Sequence, residues 1–386
     1  MWNLFGVMLL STVLFGQIEV FEIGTGLSEY TRDNFWPRVA RGGVTLEDGV
    51  IKVVDVKSIY AQAKDNMGDY YHLRIDLKKT EKYKLYKQTL LKNRHYFNVF
   101  LSDGRFYVFS MNKDRNEASE LNSRHGYPGK ILPHGENLVT SGIVWDNYVE
   151  YLERYKKTAP GNDHAIQTFN ELFLKEKGYS LIVYDKDLLP VQYVNPIPRS
   201  GENAHAFYGL YVTQAMDIDN EGNIYLCDNE GGYTIKVFDK NYRLKKEWTG
   251  NNRMHKPIPA NLTRAEGKRL RGQEHGYSEI YELFVVDDYI ITGFYQSEPP
   301  PQIASGPFFY DVHTVWGEWL GSGVMDYPLM AKGSENNVYV FAKTYAGWFG
   351  TDDIYLVSVS VEDLMFQEDM NELIKTAVQQ YEDGVQ

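Results

Sequence analysis

A single cysteine in 386 residues removes any intrachain disulfide from the account of stability. Cys227 stands in "NIYLCD", where apolar residues alternate, so it reads as a buried strand residue and not as a thiol in the open, electropositive setting that catalysis needs. Basic clusters are lacking too: 40 Lys and Arg, scattered along the chain, stand against 52 Asp and Glu, for a formal charge of −12. A phosphate-backbone partner needs a basic patch, so the charge argues against nucleic acid and reads as a solubility device. Local catalytic signatures are absent as well, with no GxSxG elbow, Walker loop, HExxH or Cys-x-x-Cys. A site assembled from several elements leaves no such motif, so these absences narrow the chemistry without deciding it.

The start, "MWNLFGVMLLSTVLFGQ", is apolar from Leu4 through Phe15 but short of the ~20 residues of a membrane span. Residues 1–16 read as a signal peptide with Gly16 before the cut and Gln17 as the mature start, a habit that resembles exported proteins of the Bacteroidota. No Lys or Arg precedes the run and Leu14 is large for its place, so a buried first strand is the alternative. No cysteine follows to carry a lipid anchor. Export, to the periplasm or the cell surface, is the expectation.

Aromatic and apolar residues are plentiful, with 30 Tyr, 19 Phe and 43% hydrophobic content, which suits pleated, half-buried surfaces. The stretch "DIDNEGNIYLCDNEGGYTIKVFDK", 217–240, joins a Gly-containing turn, an alternating strand, a second turn and another strand ending in Asp-Lys. Its first half recurs as "EDGVIKVVDV" (47–56), "SDGRFYVFS" (102–110), "GENLVTSGIV" (135–144), "NEGNIYLCD" (220–228), "VDDYIITGF" (286–294) and "SENNVYVFA" (334–342). The second half recurs from 70, 179, 233, 308 and 353; "LIVYDKDLL" and "IKVFDKNYRL" share Val, aromatic, Asp and Lys in register. The anchor at 102–110 has no partner, unless its outer strands lie in the polar segment that follows.

Such units cannot bury both faces alone and must stack against copies of themselves. Ringing four-stranded sheets about an axis covers both faces and leaves short edges, so the expected fold is an all-β, six-bladed β-propeller, with five blades possible. The Gly or Asn before an apolar strand, followed by "VFDK" or "VYDK", resembles the blades of the NHL-type and TolB-like six-bladed propellers over residues 44–366. That resemblance implies architecture, with binding as the commonest role. Residues 17–386 form one domain in this reading, and "QIEVFEI" at 17–23 pairs into the last blade to close it. Helical spacing predicts an inserted helix at about 161–178 and a C-terminal helix at about 367–383, with a short basic one in "ANLTRAEGKRLRG".

His125 and Tyr127, His205 and Tyr208, and His275 and Tyr277 each precede an anchor strand, where a propeller places the mouth of its funnel. Imidazoles converging there suit a metal, an anion or proton transfer; the alternative is a structural corner in each copy. The loops "NPIPRSGENAH" and "TGNNRMHKPIP" add Arg199, Glu202, Asn203, Asn252, Arg253 and His255 as candidate binding residues. Trp316, Trp319, Trp348 and Phe349 offer stacking surfaces or fill gaps between blades. In "DIDNEGN" the oxygen ligands of a calcium loop are present, but a plain turn is the stronger reading. No cofactor and no confident metal site is indicated. The expected role is binding of a small molecule, glycan or protein partner at the funnel face by a monomer, with no transmembrane segment. The alternative is a propeller enzyme, of carbohydrate lyase, hydrolase or lactonase type, using the His/Tyr cluster.

Overall fold

Alternate apolar residues dictate strands, and strands account for most of what is described. The computed structural model describes the strands between residues 20 and 123, together with 127–145, 178–185, 190–197, 214–229, 232–250, 252–259, 264–271, 273, 276–296, 307–332, 336–343, 354–367 and 369–384. They form six four-stranded antiparallel sheets. The first comprises Val44–Glu47, Val50–Val54, Ile59–Lys64 and Tyr70–Ile75. The second comprises Tyr83–Leu91, Arg94–Leu101, Phe106–Asn112 and Glu117–Ser123; the third Tyr127–His134, Asn137–Trp145, Gly178–Tyr184 and Pro190–Pro196. Gln214–Ile218, Ile224–Asp228, Thr234–Phe238 and Leu244–Thr249 make the fourth, and Ser278–Val286, Tyr289–Gln296, Phe308–Thr314 and Trp319–Met325 the fifth. In the sixth, Leu329–Lys332, Asn337–Lys343 and Ile354–Ser360 are joined by Val20–Glu22, which pairs antiparallel with the last of them, Val20 opposite Val357.

The sheets lie side by side. First strands of the second to sixth sheets pack on one another in chain order, and the first strand of the sixth lies against that of the first sheet. Cores fill the gaps. In the fourth sheet Met216, Ile224, Leu226 and Phe238 face Val139, Leu181, Val183 and Val194 of the third. The intervening Ala215, Tyr225, Cys227, Ile235 and Val237 face Ile280, Leu283, Val285 and Phe294 of the fifth. This two-sided burial explains why "IYLC" is continuously apolar: each side of the pleat has its own neighbouring sheet. The fifth sheet's other face packs on the sixth and on two helices, α2 (Val361–Phe366) and α3 (Met370–Glu382); α1 spans Arg264–Arg271. No described helix is long and apolar enough to cross a membrane.

The anchor at 102–110 is the third strand of its sheet, and its outer partner, Glu117–Ser123, lies in the polar segment that follows it, as one of the two readings had it. Two sequence expectations change. Residues 361–363, read as strand, open α2, because Ser360 caps it: its Oγ accepts from Asp363 N at 3.0 Å while the Asp363 carboxylate accepts from Ser360 N. Gly178, read as a helix end, opens a strand. The expected signal peptide and the inserted helix lie outside the described residues.

Candidate functional site

In a four-stranded meander, the turns between strands one and two and between three and four share one end. The turn between two and three, and the connections to the next sheet, share the other. The connection from the fourth sheet to the fifth, Asn252–Ile258, crosses this second end as a strap.

The C-terminal half of the strap is tied through its backbone. Ile258 N donates to Asn229 O at 3.1 Å, Ser278 N to Lys256 O at 2.7 Å, and Lys256 N to Ser278 Oγ at 2.9 Å. Asn229 Nδ2 closes the corner on Ser278 O. At the strap's start, Asn252 Oδ1 accepts from Met254 N at 2.8 Å, making a local turn, while Asn252 Nδ2 reaches inward to Asp311 Oδ1 at 2.7 Å.

Asp311 is the centre of this junction. It sits on the third strand of the fifth sheet, wholly buried on the face that Phe309 turns toward the fourth sheet. Burial pushes its carboxyl up to about 6, although hydrogen bonds from Tyr233, Asn252 and Trp319 pull the other way. The hydroxyl of Tyr233, at the head of the fourth sheet's third strand, donates to Asp311 Oδ2. Two imidazoles flank the Tyr233 ring: His255 of the strap at 5.0 Å and His313 of the fifth sheet at 6.2 Å between ring centroids. Burial drives both down to about 4, so each is neutral at physiological pH. His255 Nε2, His313 Nδ1 and Thr292 Oγ1 are buried without a hydrogen-bond partner. Thr292 pairs with Asp311 across the strands, so these groups share one polar patch in an otherwise apolar interface.

The strap therefore has two faces. Asn252 and His255 turn inward as anchors, whereas Arg253, Met254 and Lys256 face solvent, Met254 with half its surface exposed. Sequence reasoning singled out Asn252, Arg253 and His255, and Trp319 as a stacking or gap-filling ring, but not Asp311 or Tyr233. A signal for Asp311 was present, since a lone carboxylate in "FFYDVH" interrupts a strand otherwise suited to full burial.

The remaining candidates separate. His125, His205, Tyr208, His275, Arg199, Glu202 and Asn203 lie outside the described residues, as do Trp348 and Phe349, and of Tyr127 only the strand backbone is described. Tyr277 is buried, and its hydroxyl donates to Glu279 Oε1 at 3.3 Å, an acceptor shared with Tyr295 on its other oxygen. Trp316 is exposed in a hairpin turn, whereas Trp319 hydrogen-bonds Asp311. Calcium finds no free carboxylate at Asp219: Oδ1 accepts from Glu221 N and Asn223 N, and Oδ2 from Asn223 Nδ2 and Tyr225 OH. Among the described residues no three metal-ligating side chains gather. Among the first strands, Asp217 accepts from Val285 N at 2.8 Å and from Lys332 Nζ at 2.9 Å, tying those of the fourth, fifth and sixth sheets.

No protein family model matches the sequence, and no curated protein matches it. Among solved structures the chain is similar to a protein of Bacteroides fragilis NCTC 9343 described as exported, at 8% identity over 89% of this chain and 95% of that one, with a TM-score of 0.47. It is also similar to virginiamycin B lyase from Staphylococcus aureus (8% identity, 89% and 100% covered, TM-score 0.40). A third likeness is to the β-propeller domain of the trilobed protease from Pyrococcus furiosus (10% identity, 75% and 74% covered, TM-score 0.36). Likenesses this distant decide nothing about activity.

Proposed function

We propose that this chain is an exported six-bladed β-propeller, of the NHL-type or TolB-like kind, that binds a ligand through the end bearing the Asn252–Ile258 strap. The ring reading is supported by the order in which first strands pack and by the return of the sixth sheet to the first. Export is supported by the short apolar start with Gly16 before Gln17.

The observation that carries the binding reading is the division of the strap into buried anchors and presented side chains. A loop held by Asp311 at Asn252 and by backbone bonds at Lys256 and Ile258 loses little entropy on binding, so contacts made by Arg253, Met254 and Lys256 are not offset by ordering the loop. Two cations beside a thioether, on a chain of net charge −12, suit an anionic ligand with an apolar portion. Uronic-acid oligosaccharides and acidic peptides have that chemistry. His125, His205 and His275, which in the sequence fall between the last strand of one sheet and the first of the next, are proposed to add to this mouth.

Thermal-shift screening of residues 17–386 against uronic-acid oligosaccharides, neutral glycans, acidic peptides and divalent metals tests the reading, because a specific ligand raises stability by mass action. An anionic ligand should raise Tm, and Arg253→Ala with Lys256→Ala should abolish the rise while leaving the unliganded Tm in place. A rise that survives both substitutions, or one given by metals alone, would move the site elsewhere.

A further inference from the structure

At the opposite end of the sheets the chain builds one turn three times. In Asp219–Asn223, Asp219 N donates to Asn223 O and Gly222 N to Asp219 O; in Asp239–Arg243, Asp239 N donates to Arg243 O and Tyr242 N to Asp239 O. Thr314–Glu318 repeats both bonds, with Gly317 N donating to Thr314 O. The fourth residue lies in the left-handed region each time: Gly222 at φ 84°, Gly317 at φ 90° and Tyr242 at φ 64°. Glycine adopts this backbone freely and tyrosine does not, so the tyrosine is held there by its surroundings.

Those surroundings form a relay between the third and fourth sheets. Gly222 O can only accept, so His134 Nε2, at 2.8 Å, carries the hydrogen. His134 Nδ1 lies 3.0 Å from Tyr242 OH, and that hydroxyl oxygen accepts from Asn137 Nδ2 at 3.3 Å. The relay floors an open cavity of about 590 Å³, within the range of small-molecule sites. Its walls carry Glu136, Glu221, Gln192, Asn220, Lys240 and Asn241.

We infer that this cavity is a binding site for a neutral saccharide of one or two rings. Amides both donate and accept, as sugar hydroxyls do, so Gln192, Asn220 and Asn241 match a polyhydroxylated ligand in either direction. Two carboxylates oppose an anion, and Lys240 sets a like charge against a cation. The half-buried Tyr242 ring, tilted 49° to His134, supplies the apolar surface that sugar rings pack on. The site lies at the other end of the sheets from the strap and is independent of it.

Saturation-transfer NMR and calorimetry on the whole chain test the proposal, with glucose, galactose, N-acetylglucosamine, maltose and cellobiose as probes and with glucuronic acid and glucosamine as charged controls measured on the Arg253→Ala, Lys256→Ala chain, whose strap offers no cation. At least one neutral sugar should bind at millimolar concentration or better and more tightly than its charged counterpart. Tyr242→Gly places at this turn the residue that its two sister turns carry, so the fold and Tm should survive while affinity falls at least about tenfold. Asn241→Ala, on the exposed part of the same turn, should weaken binding without touching the relay. Arg253→Ala should leave sugar binding unchanged. No transfer to any neutral sugar, tighter binding of a charged control, or unaltered affinity in both turn variants overturns the assignment.

Discussion

At the scale of single residues, the junction beneath the strap is governed by desolvation. Asp311, His255 and His313 keep their buried places at opposite protonation costs, and the signs can be worked through. Each imidazole is lowered from 6.5 to about 4 on folding, so between those values the unfolded chain holds a proton that the folded chain refuses. Acidification through that window favours unfolding. Asp311 is raised from 3.8 to about 6, so its folded form takes the proton first and acidification from about 6 favours folding. Two groups against one leave a net loss of about one proton's slope on the acid side. Urea unfolding compared at about pH 7 and about pH 4.5 should show lower stability at the acid value, and His313→Leu should flatten the difference. Stability unchanged or rising toward acid pH would contradict the neutral assignment of both rings.

At the scale of elements, legibility followed burial. Ile224–Asp228 and Tyr289–Gln296 were readable as strands because apolar residues sit directly after a turn, and the turn itself demanded Gly222 or Asp287 at a left-handed position. Tyr83–Leu91 and Arg94–Leu101 were passed over because Lys84, Lys87 and Arg94 break the apolar pattern. The strap was legible as a polar loop, but not its direction: composition does not say that Asn252 and His255 point in while Arg253 points out. That depends on Asp311, 59 residues beyond Asn252, which no local window contains. Ser360 shows the same limit, since a strand reading that ran on through Asp363 hid the cap it makes for α2. Removing that cap with Ser360→Ala should lower stability by about 1 kcal/mol, read from the urea midpoint at unchanged m-value. A change near zero would mean that packing of Val361 and Leu364 alone holds α2.

At the scale of the whole molecule, each sheet shields its neighbours, so cooperativity extends around the set. The sixth sheet takes its outer strand, Val20–Glu22, from the far end of the chain, and α3 packs on the same sheet through Ile374, Ala377 and Val378. Deleting residues 17–23 exposes the edge of Ile354–Ser360, a row of unpaired backbone groups that invites aggregation. The deletion should lower Tm in a single transition and promote association, seen by calorimetry and light scattering. A shortened chain with unchanged Tm would show that the closing strand contributes nothing to the ring.

The central claim is that buried anchors hold the strap in one shape before any ligand arrives. Amide hydrogen exchange measures this directly. The backbone N–H groups of Lys256, Ile258 and Ser278 should exchange nearly as slowly as those of the neighbouring strands, and Asp311→Ala should release them while the third sheet stays protected. Exchange of these amides at the rate of an open loop in the unaltered protein would contradict it.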